Sequence, residues 1–429
     1  MTEWRPDQRT MQHVRLLQRE VQSELGLLLQ RIGELVKIES PTGEFMGIGR
    51  CASRVEEWIA EAGGKVQRFA PRLHGRRRAE TPPLLLGRFA PNCKMKAPRS
   101  SCEQTQPGAG PETAPARAPK PAMVLGHLDT VWPVGTLRKM PFRTRGGRAW
   151  GPGVLDMKAG VAMALSAIRV LQRTGLLCRP VILLLSGDEE SGSATSRQTI
   201  EALALRCAEI FVLEPAQGPE RAYKTARKGV GAYRLLVKGV ASHSGVDFER
   251  GHSAVRELAR QIERISGFTD LRRGTTVNAG LIAGGTRVNV VAAEAWAEFD
   301  LRVSRPAEAR RLDARFHALR PFDSQCSLEV SGGINRPPME RTAQNAALFR
   351  RAATISAAMG MKIQEAASGG GSDGNFTSAL GIPTLDGMGA AGEGAHAENE
   401  SVFLDSLVPR TALLAAMIAT TGMAGSGLP

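Results

Sequence analysis

The sequence predicts an α/β protein in which a mostly parallel sheet is covered by helices and interrupted by an inserted α+β unit. Three observations predict this. Continuous apolar runs at Met123–Leu125, Val181–Leu185 and Ile210–Leu213 are each bounded by turn or charged residues, as strands buried on both faces are. Helical apolar spacing, such as Val161, Leu165, Ile168 and Leu171, falls between the runs, the alternation that builds a parallel sheet. From about Gly229 the texture changes to alternating strands, and helical patterns resume afterwards. A length of 429 residues with 42% apolar composition allows one large domain or two ordinary ones.

The chain opens on an amphipathic helical pattern over Met11–Val36, with Val14, Leu17, Val21, Leu25, Leu28, Ile32 and Leu35 on one face. Glu39-Ser40-Pro41-Thr42-Gly43 ends it with breaker chemistry. Arg72–Lys120 holds ten Lys/Arg against three Asp/Glu, half of the net charge of +14. Its later part, residues 92–120, is rich in Pro, Ala and Gly without apolar period, and reads as a solvated insert. No aromatic residue is interleaved there for base stacking, so nucleic acid is not the expected partner despite the charge. The six cysteines form no CxxC pair and no dense framework, and Cys93 and Cys102 read as free thiols. With no apolar leader and no membrane-length apolar run, the expectation is a soluble, cytoplasmic protein without membrane contact.

The expected inserted unit spans 229–340: a strand at Tyr233–Val237, a helix near Ala254–Ile265, strands at Thr276–Ala283, Val288–Val291 and Glu294–Val303, and a further helix. Residues 1–228 and 341–429 then form the first domain, the latter with helices at Asn345–Ala358 and Leu407–Ile418.

The residues directly after each buried run carry the chemistry. The first run leads into Gly126-His127-Leu128-Asp129-Thr130, the second into Ser186-Gly187-Asp188-Glu189-Glu190-Ser191, the third into Glu214-Pro215. Ligands in open α/β sheets bind outside the carboxyl ends of the strands. Asp156, in Gly151-Pro152-Gly153-Val154-Leu155-Asp156-Met157-Lys158, and His396, in Gly394-Ala395-His396-Ala397-Glu398, add to the set. Singly, each reads as a surface or capping residue. Together, so many carboxylates repel one another unless cations neutralise them, and two histidines with carboxylates and no thiolate suit two divalent ions of the zinc, cobalt or manganese type.

In order and spacing, GHLDT, GPGVLDMKAG, SGDEESGS, VLEPA, GVASHSG, GGGSDG and GAHAENE resemble the motif series of the zinc-dependent exopeptidases. That family includes glutamate carboxypeptidase, acetylornithine deacetylase, succinyl-diaminopimelate desuccinylase and aminoacylase, and the resemblance is closest to the glutamate carboxypeptidase branch. It implies a zinc exopeptidase fold with two Zn2+ ions, Co2+ or Mn2+ serving as substitutes. His127 and Glu214 would complete one site, Glu190 and His396 the other, with Asp156 bridging. Glu189 would be the general base and Asp129 the carboxylate that orients His127. The peptide bond Asp156-Met157 is expected to be cis. The inserted unit would be the lid and dimerisation domain, its His243 stabilising an oxyanion in the partner subunit's site. Asn289 and Arg336 fall where the family binds the substrate carboxylate, while Arg302 reads as a support of the fold. The implied reaction is cleavage of an amide bond beside a free carboxylate in a small peptide or N-acyl amino acid, either as a carboxypeptidase releasing an amino acid such as glutamate or as an N-acyl-amino-acid deacylase.

Gly370-Gly371-Ser372-Asp373-Gly374 also satisfies the G-x-S-x-G pattern of serine hydrolases, followed by Asp386 and His396. Only 24 positions separate Ser372 from His396, and no clear strand is expected to enter the motif. A glycine-rich loop offering N–H groups of Gly371 and Ser372 to a substrate carboxylate is the better expectation.

Overall fold

The opening amphipathic pattern folds as two helices rather than one, α1 (Gln8–Ser23) and α2 (Leu25–Val36). They break at Glu24, where φ is −95° and ψ 2°. The Glu24 side chain is drawn inward, accepting hydrogen bonds from Ser166 Oγ at 3.2 Å and Arg173 Nη1 at 2.8 Å, and the bend accommodates that burial. Apolar periodicity cannot register this, because Glu24 lies on the buried side of an otherwise regular stripe. The computed structural model describes residues 8–69, 81–93 and 119–421. Most of the expected insert, residues 94–118, lies outside the described residues.

Two compact units are present: 1–223, 343–365 and 382–429 form the first, and 224–342 with 366–381 the second. In the first, α3 (Phe45–Glu61) is capped by the Glu44 side chain, which accepts from the N–H groups of Met46 and Gly47. Strands β1 (Lys65–Phe69), β2 (Leu84–Phe89) and β3 (Ala122–His127) follow, then the short β4 (Arg143–Arg145) and β5 (Arg148–Trp150). After them come α4 (Ala159–Thr174), β6 (Val181–Ser186), α5 (Arg197–Ala204) and β7 (Glu209–Val212). The expected strands Met123–Leu125, Val181–Leu185 and Ile210–Leu213 thus become β3, β6 and β7, and every residue of all three is buried.

The second unit begins along β8 (Tyr223–Arg227) and β9 (Gly229–Lys238), and continues through α6 (Ala254–Ser266), β10 (Thr276–Gly284), β11 (Glu294–Val303), α7 (Pro306–His317) and β12 (Ser327–Arg336). Its antiparallel sheet has the order β10-β11-β9-β12 and closes over a core that includes Tyr233, Leu235, Leu258, Phe299 and Phe316. Tyr233 and Phe316 stack with ring centroids 4.0 Å apart. Val288–Val291 is a turn rather than the expected strand. The Val290 N–H donates to the Arg287 carbonyl, and only an isolated bridge to His243 pairs the segment.

The chain then adds α8 (Ala343–Ala358), β13 (Glu365–Ser368), α9 (Gly374–Ala379), β14 (Thr384–Leu385), β15 (Gly392–Glu393), β16 (Ser401–Phe403) and α10 (Leu404–Ala419). In the first unit the six-stranded sheet runs β1-β2-β6-β3-β7-β14, with β6, β3, β7 and β14 parallel and β2 reversed, antiparallel to both β1 and β6. Twelve of the sixteen residues of α4 are buried, because β3, α1, α2 and α10 all pack against it. The segment 366–381 groups with the second unit, a departure from the expected return at 341. The Asn375 amide there donates to the carbonyls of Lys228 and Pro337, and Arg336 pairs with Asp373 at 3.2 Å.

Cys93 is bonded to Cys178, which corrects its reading as a free thiol. The pairing arises from the sheet. β2 and β6 are antiparallel neighbours with Phe89 opposite Val181, so the residues just beyond one strand and just before the other converge across 85 positions of sequence. Cys51, Cys207 and Cys326 are free and buried. Among the described residues, no helix is long and apolar enough to cross a membrane.

Candidate metal centre and active site

The parallel order β6-β3-β7 sets three carboxyl ends side by side, and the chemistry-bearing residues leave the sheet there. His127 is the last residue of β3 and is 1% exposed. Its Nδ1–H donates to the Asp129 carbonyl oxygen at 2.9 Å, which turns the Nε2 lone pair outward. Nε2 stands 3.2 Å from Asp156 Oδ1 and 3.7 Å from Glu214 Oε1. On the far side of Asp156, His396 Nε2 lies 3.4 Å from Asp156 Oδ2 and 3.3 Å from Glu190 Oε1.

Two ligand triplets result, His127/Asp156/Glu214 and Asp156/Glu190/His396. Within each, the nitrogen and carboxylate oxygens lie within 4.8 Å of one another. The two oxygens of Asp156 are divided between them. The donor set fits divalent ions of the borderline type: one imidazole and two carboxylates per triplet, with no thiolate. Glu190 Oε1 is buried with His396 Nε2 3.3 Å away, the two donor atoms a cation between them would share.

The electrostatics of the cluster point the same way. Burial opposes charge on His127, but Asp156, Asp129 and Glu189 outweigh it and hold the imidazolium well above its usual pKa. Asp156 and Glu190 push His396 up to about 10. Burial works against ionisation of Asp156, yet the two imidazoles hold its carboxyl well below the usual carboxylate range. Without metal, the cluster binds protons where cations would balance the carboxylates.

Asp156 lies in a π-helical turn, Val154–Lys158, with the Asp156-Met157 peptide cis as expected. Glu189 and Glu190 open the 3-10 turn after β6, so their side chains diverge from one short segment. Asp129 meets His127 through two groups: its backbone carbonyl takes the 2.9 Å hydrogen bond from Nδ1, and its carboxylate Oδ1 lies 3.5 Å from the same nitrogen. The carboxylate also accepts from the N–H groups of Glu189 (3.2 Å) and Glu190 (3.1 Å) and from Thr42 Oγ1 (2.8 Å). Burial pushes this carboxyl up to about 6. Asp188 holds the far end of the turn, its Oδ2 accepting from Thr195 N and Oγ1, both at 2.7 Å. Thr42, read as part of a helix breaker, and Glu400, inside a quoted motif without a role, were both missed. Their contacts lie 87 and more than 240 residues away in sequence, where no local signal reaches.

In the second unit, His243 and Asn289 are neighbours: the Ser244 N–H donates to the Asn289 carbonyl at 3.1 Å. His243 is exposed, and its Nδ1 accepts from the Gly245 N–H at 3.1 Å, which leaves the proton on Nε2. Arg336 ends β12 with Nη2 3.2 Å from Asp373 Oδ1. Arg302 pairs in two places with Asp300, as a support of the sheet would. Gly371 and Ser372 fall in the turn between β13 and α9, so a short strand does enter the G-x-S-x-G motif, contrary to expectation. Ser372 is nonetheless fully buried and its Oγ accepts from the Gly374 N–H, unlike an exposed nucleophile. His396, the third member of that pattern, is engaged by Asp156 and Glu190.

The profile of peptidase family M20/M25/M40 matches residues 123–420. Carboxypeptidase G2 of Pseudomonas sp. (strain RS-16) is 28% identical over 308 residues, 70% of this chain and 74% of that protein. A succinyl-diaminopimelate desuccinylase of Cereibacter sphaeroides (strain KD131) is 30% identical over 318 residues, 67% of this chain and 80% of its own. Among solved structures, a tripeptidase of Staphylococcus aureus superposes with a TM-score of 0.69 at 20% identity, covering 92% of this chain and 97% of its own, which speaks to fold alone. The matched profile runs from β3 through α10 and so includes every residue of both triplets: the chain is a metal-dependent hydrolase belonging to peptidase family M20/M25/M40.

Proposed function

We propose that this chain is a dinuclear zinc hydrolase that cleaves an amide bond adjacent to a free carboxylate, releasing a C-terminal amino acid such as glutamate from a peptide or acyl conjugate. The observation that carries the reading is the division of the two Asp156 oxygens between two separate ligand triplets. His127, Asp156 and Glu214 would hold one ion and Asp156, Glu190 and His396 the other. Bound there, two ions supply Lewis-acid polarisation of a carbonyl and a lowered water pKa.

The chain's own groups then divide the work. Glu189, adjacent in sequence to a ligand yet in neither triplet, is the general base: it takes the proton of the attacking water and delivers it to the leaving amine. Its backbone N–H is held by Asp129, which fixes the direction of approach. His243 would donate Nε2–H to the oxyanion in the partner subunit's site, a role suited by the Gly245 hydrogen bond that occupies Nδ1. Arg336, with Asn289, Gly371 and Ser372, would bind the substrate carboxylate, a task that favours a guanidinium fork. The second unit would also mediate homodimerisation. Its edge strand β10 leaves Leu281 58% and Ile282 64% exposed, an unpaired apolar edge of the kind that chain association covers.

A second reading, N-acyl-amino-acid deacylation on the same centre, is favoured by the desuccinylase relatives. A substrate panel separates the two. Release of glutamate from pteroyl- or benzoyl-glutamate and from dipeptides, lost with a chelator and restored by zinc or cobalt, is the expected result. Hydrolysis confined to N-acetyl or N-succinyl amino acids would replace the carboxypeptidase reading by the deacylase one.

A further inference from the structure

Glu400 lies four residues beyond His396, is 1% exposed, and has no assigned part in the chemistry. Its Oε1 accepts from the backbone N–H groups of Leu155 (2.8 Å) and Asp156 (3.1 Å). Its Oε2 accepts from the Gly153 N–H (2.8 Å) and the Trp132 indole N–H (2.6 Å). Three of the four donors belong to one short loop, whose backbone turns its N–H groups toward a single anion as a nest does. The loop needs Gly153 for this. That residue is at φ +70°, and a Cβ there would stand 2.5 Å from Thr130 Cγ2.

Only a carboxylate fits the four donors. It is acceptor-only, with two oxygens and about four lone-pair sites. A glutamine of the same shape keeps one acceptor oxygen and aims its NH2 at donors, leaving buried N–H groups unsatisfied.

The clasped loop ends in Asp156, whose two oxygens face different imidazoles, so a small slide of the loop disturbs both triplets together. Glu400 also belongs to the segment that carries His396: its N–H donates to Ala397 O, and Ser401 pairs with Trp150 across β16 and β5. We propose that Glu400 is a positioning residue of the metal centre, its carboxylate holding the 153–156 loop so that Asp156 sits in register between the two triplets and is tied to the His396 segment. This rests on the reading of those triplets as metal sites.

The test compares wild type, Glu400→Gln and Trp132→Phe as full-length metal-free proteins. Each is titrated with Zn2+ by calorimetry and with Co2+ by visible absorption, and its urea unfolding is measured in parallel. Glu400→Gln is expected to weaken ion binding by about 10–100-fold and to alter the Co2+ spectrum, the range typical for lost outer-sphere partners of metal ligands. Trp132→Phe, which removes one donor and keeps the charge, is expected to weaken binding by less. A folded Glu400→Gln with wild-type affinity and spectrum overturns the proposal even if its metal-free form is less stable, because Glu400 would then be a tie of the fold alone. Should Glu400→Gln fail to fold, wild-type affinity and spectrum in Trp132→Phe overturn it. Wild-type protein that takes up no ion overturns the metal reading as well, whereas normal uptake with unaltered variants overturns only this inference.

Discussion

Replacing Gly389 by alanine is expected to disable the metal centre from outside it. Gly389 packs directly on the peptide that carries Glu214: its N–H donates to the Glu214 carbonyl at 3.0 Å. A Cβ at this position would stand 2.1 Å from the Leu213 carbonyl oxygen and 3.0 Å from that of Glu214. Both obstacles are backbone, so no side chain can swing aside. A C···O contact relaxes at about 3.3 Å, so the Leu213–Glu214 peptide must retreat by about 1.2 Å. The Glu214 carboxylate, only 3.7 Å from His127 Nε2, moves with it. A misplacement of about 1 Å costs on the order of 100-fold in rate, and the overpacking itself costs about 1–3 kcal/mol of stability. The assay is kcat/KM on an acyl-glutamate together with bound zinc per chain and the urea midpoint. Gly49→Ala serves as the contrast: it lies inside α3 with nothing within 4 Å of the added Cβ. That substitution is expected to raise stability by about 0.5–1 kcal/mol and leave activity unchanged. Wild-type metal content and activity in Gly389→Ala would refute the claim that the Leu213–Glu214 backbone sets the position of this ligand.

Three further outcomes are expected. Glu189→Gln should abolish hydrolysis while both ions remain bound, since Glu189 belongs to neither triplet; metal analysis beside the activity assay checks this, and loss of metal would make it a ligand instead. Metal binding should release protons: His396 titrates near 10 and His127 well above 6.5 in the metal-free protein, so each imidazole must give up a proton at pH 7. Affinity should therefore rise with pH, and calorimetry in buffers of differing ionisation enthalpy should read about two protons per chain. The sign for stability is the reverse: the contribution of His396 to the metal-free fold is complete below 6.5 and is lost as pH rises through about 10. Finally, Arg351→Met strips the buried Glu209 of a bidentate partner held at 2.7 and 2.5 Å. It should lower stability by about 3–5 kcal/mol in urea unfolding, and Glu209→Gln combined with it should restore part of the loss.

The charge that first raised the question of nucleic acid has a definite distribution. Residues 72–120 carry ten Lys/Arg against three Asp/Glu, and residues 224–342 of the second unit carry 20 against 13, so these two stretches hold all of the excess of +14. Outside residues 72–120 the first unit, which contains both acidic triplets, is nearly balanced. Charge therefore says more about the second unit than about the metal centre, where local convergence of carboxylates dominates.

Much of this architecture was readable in the chain because it depends on short-range pattern. β3, β6 and β7 declare themselves by uninterrupted apolar runs, and the residues at or just after their ends include His127, Glu190 and Glu214 of the two triplets. The features that escaped depend on contacts between distant segments. Glu24 bends the first helix because Ser166 and Arg173 lie opposite it, and Cys93 meets Cys178 because β2 and β6 are antiparallel neighbours. Val288–Val291 has strand composition but finds only an isolated bridge to His243. Residues 366–381 group with the second unit through Asn375 and Asp373, partners no periodicity predicts. Asp129 shows the boundary most clearly. Its place beside His127 comes from closeness along the chain, whereas the partners of its carboxylate, Glu189, Glu190 and Thr42, were selected by strand order and burial. Residue type and place after the strands pointed to a metal-binding cluster, and the motif resemblance named the residues that form the two triplets. The division of Asp156 between two imidazoles, and the clasp of Glu400 beneath it, exist only once segments 240 or more residues apart are packed together, because a hydrogen bond is specified by position in space and not by distance along the chain.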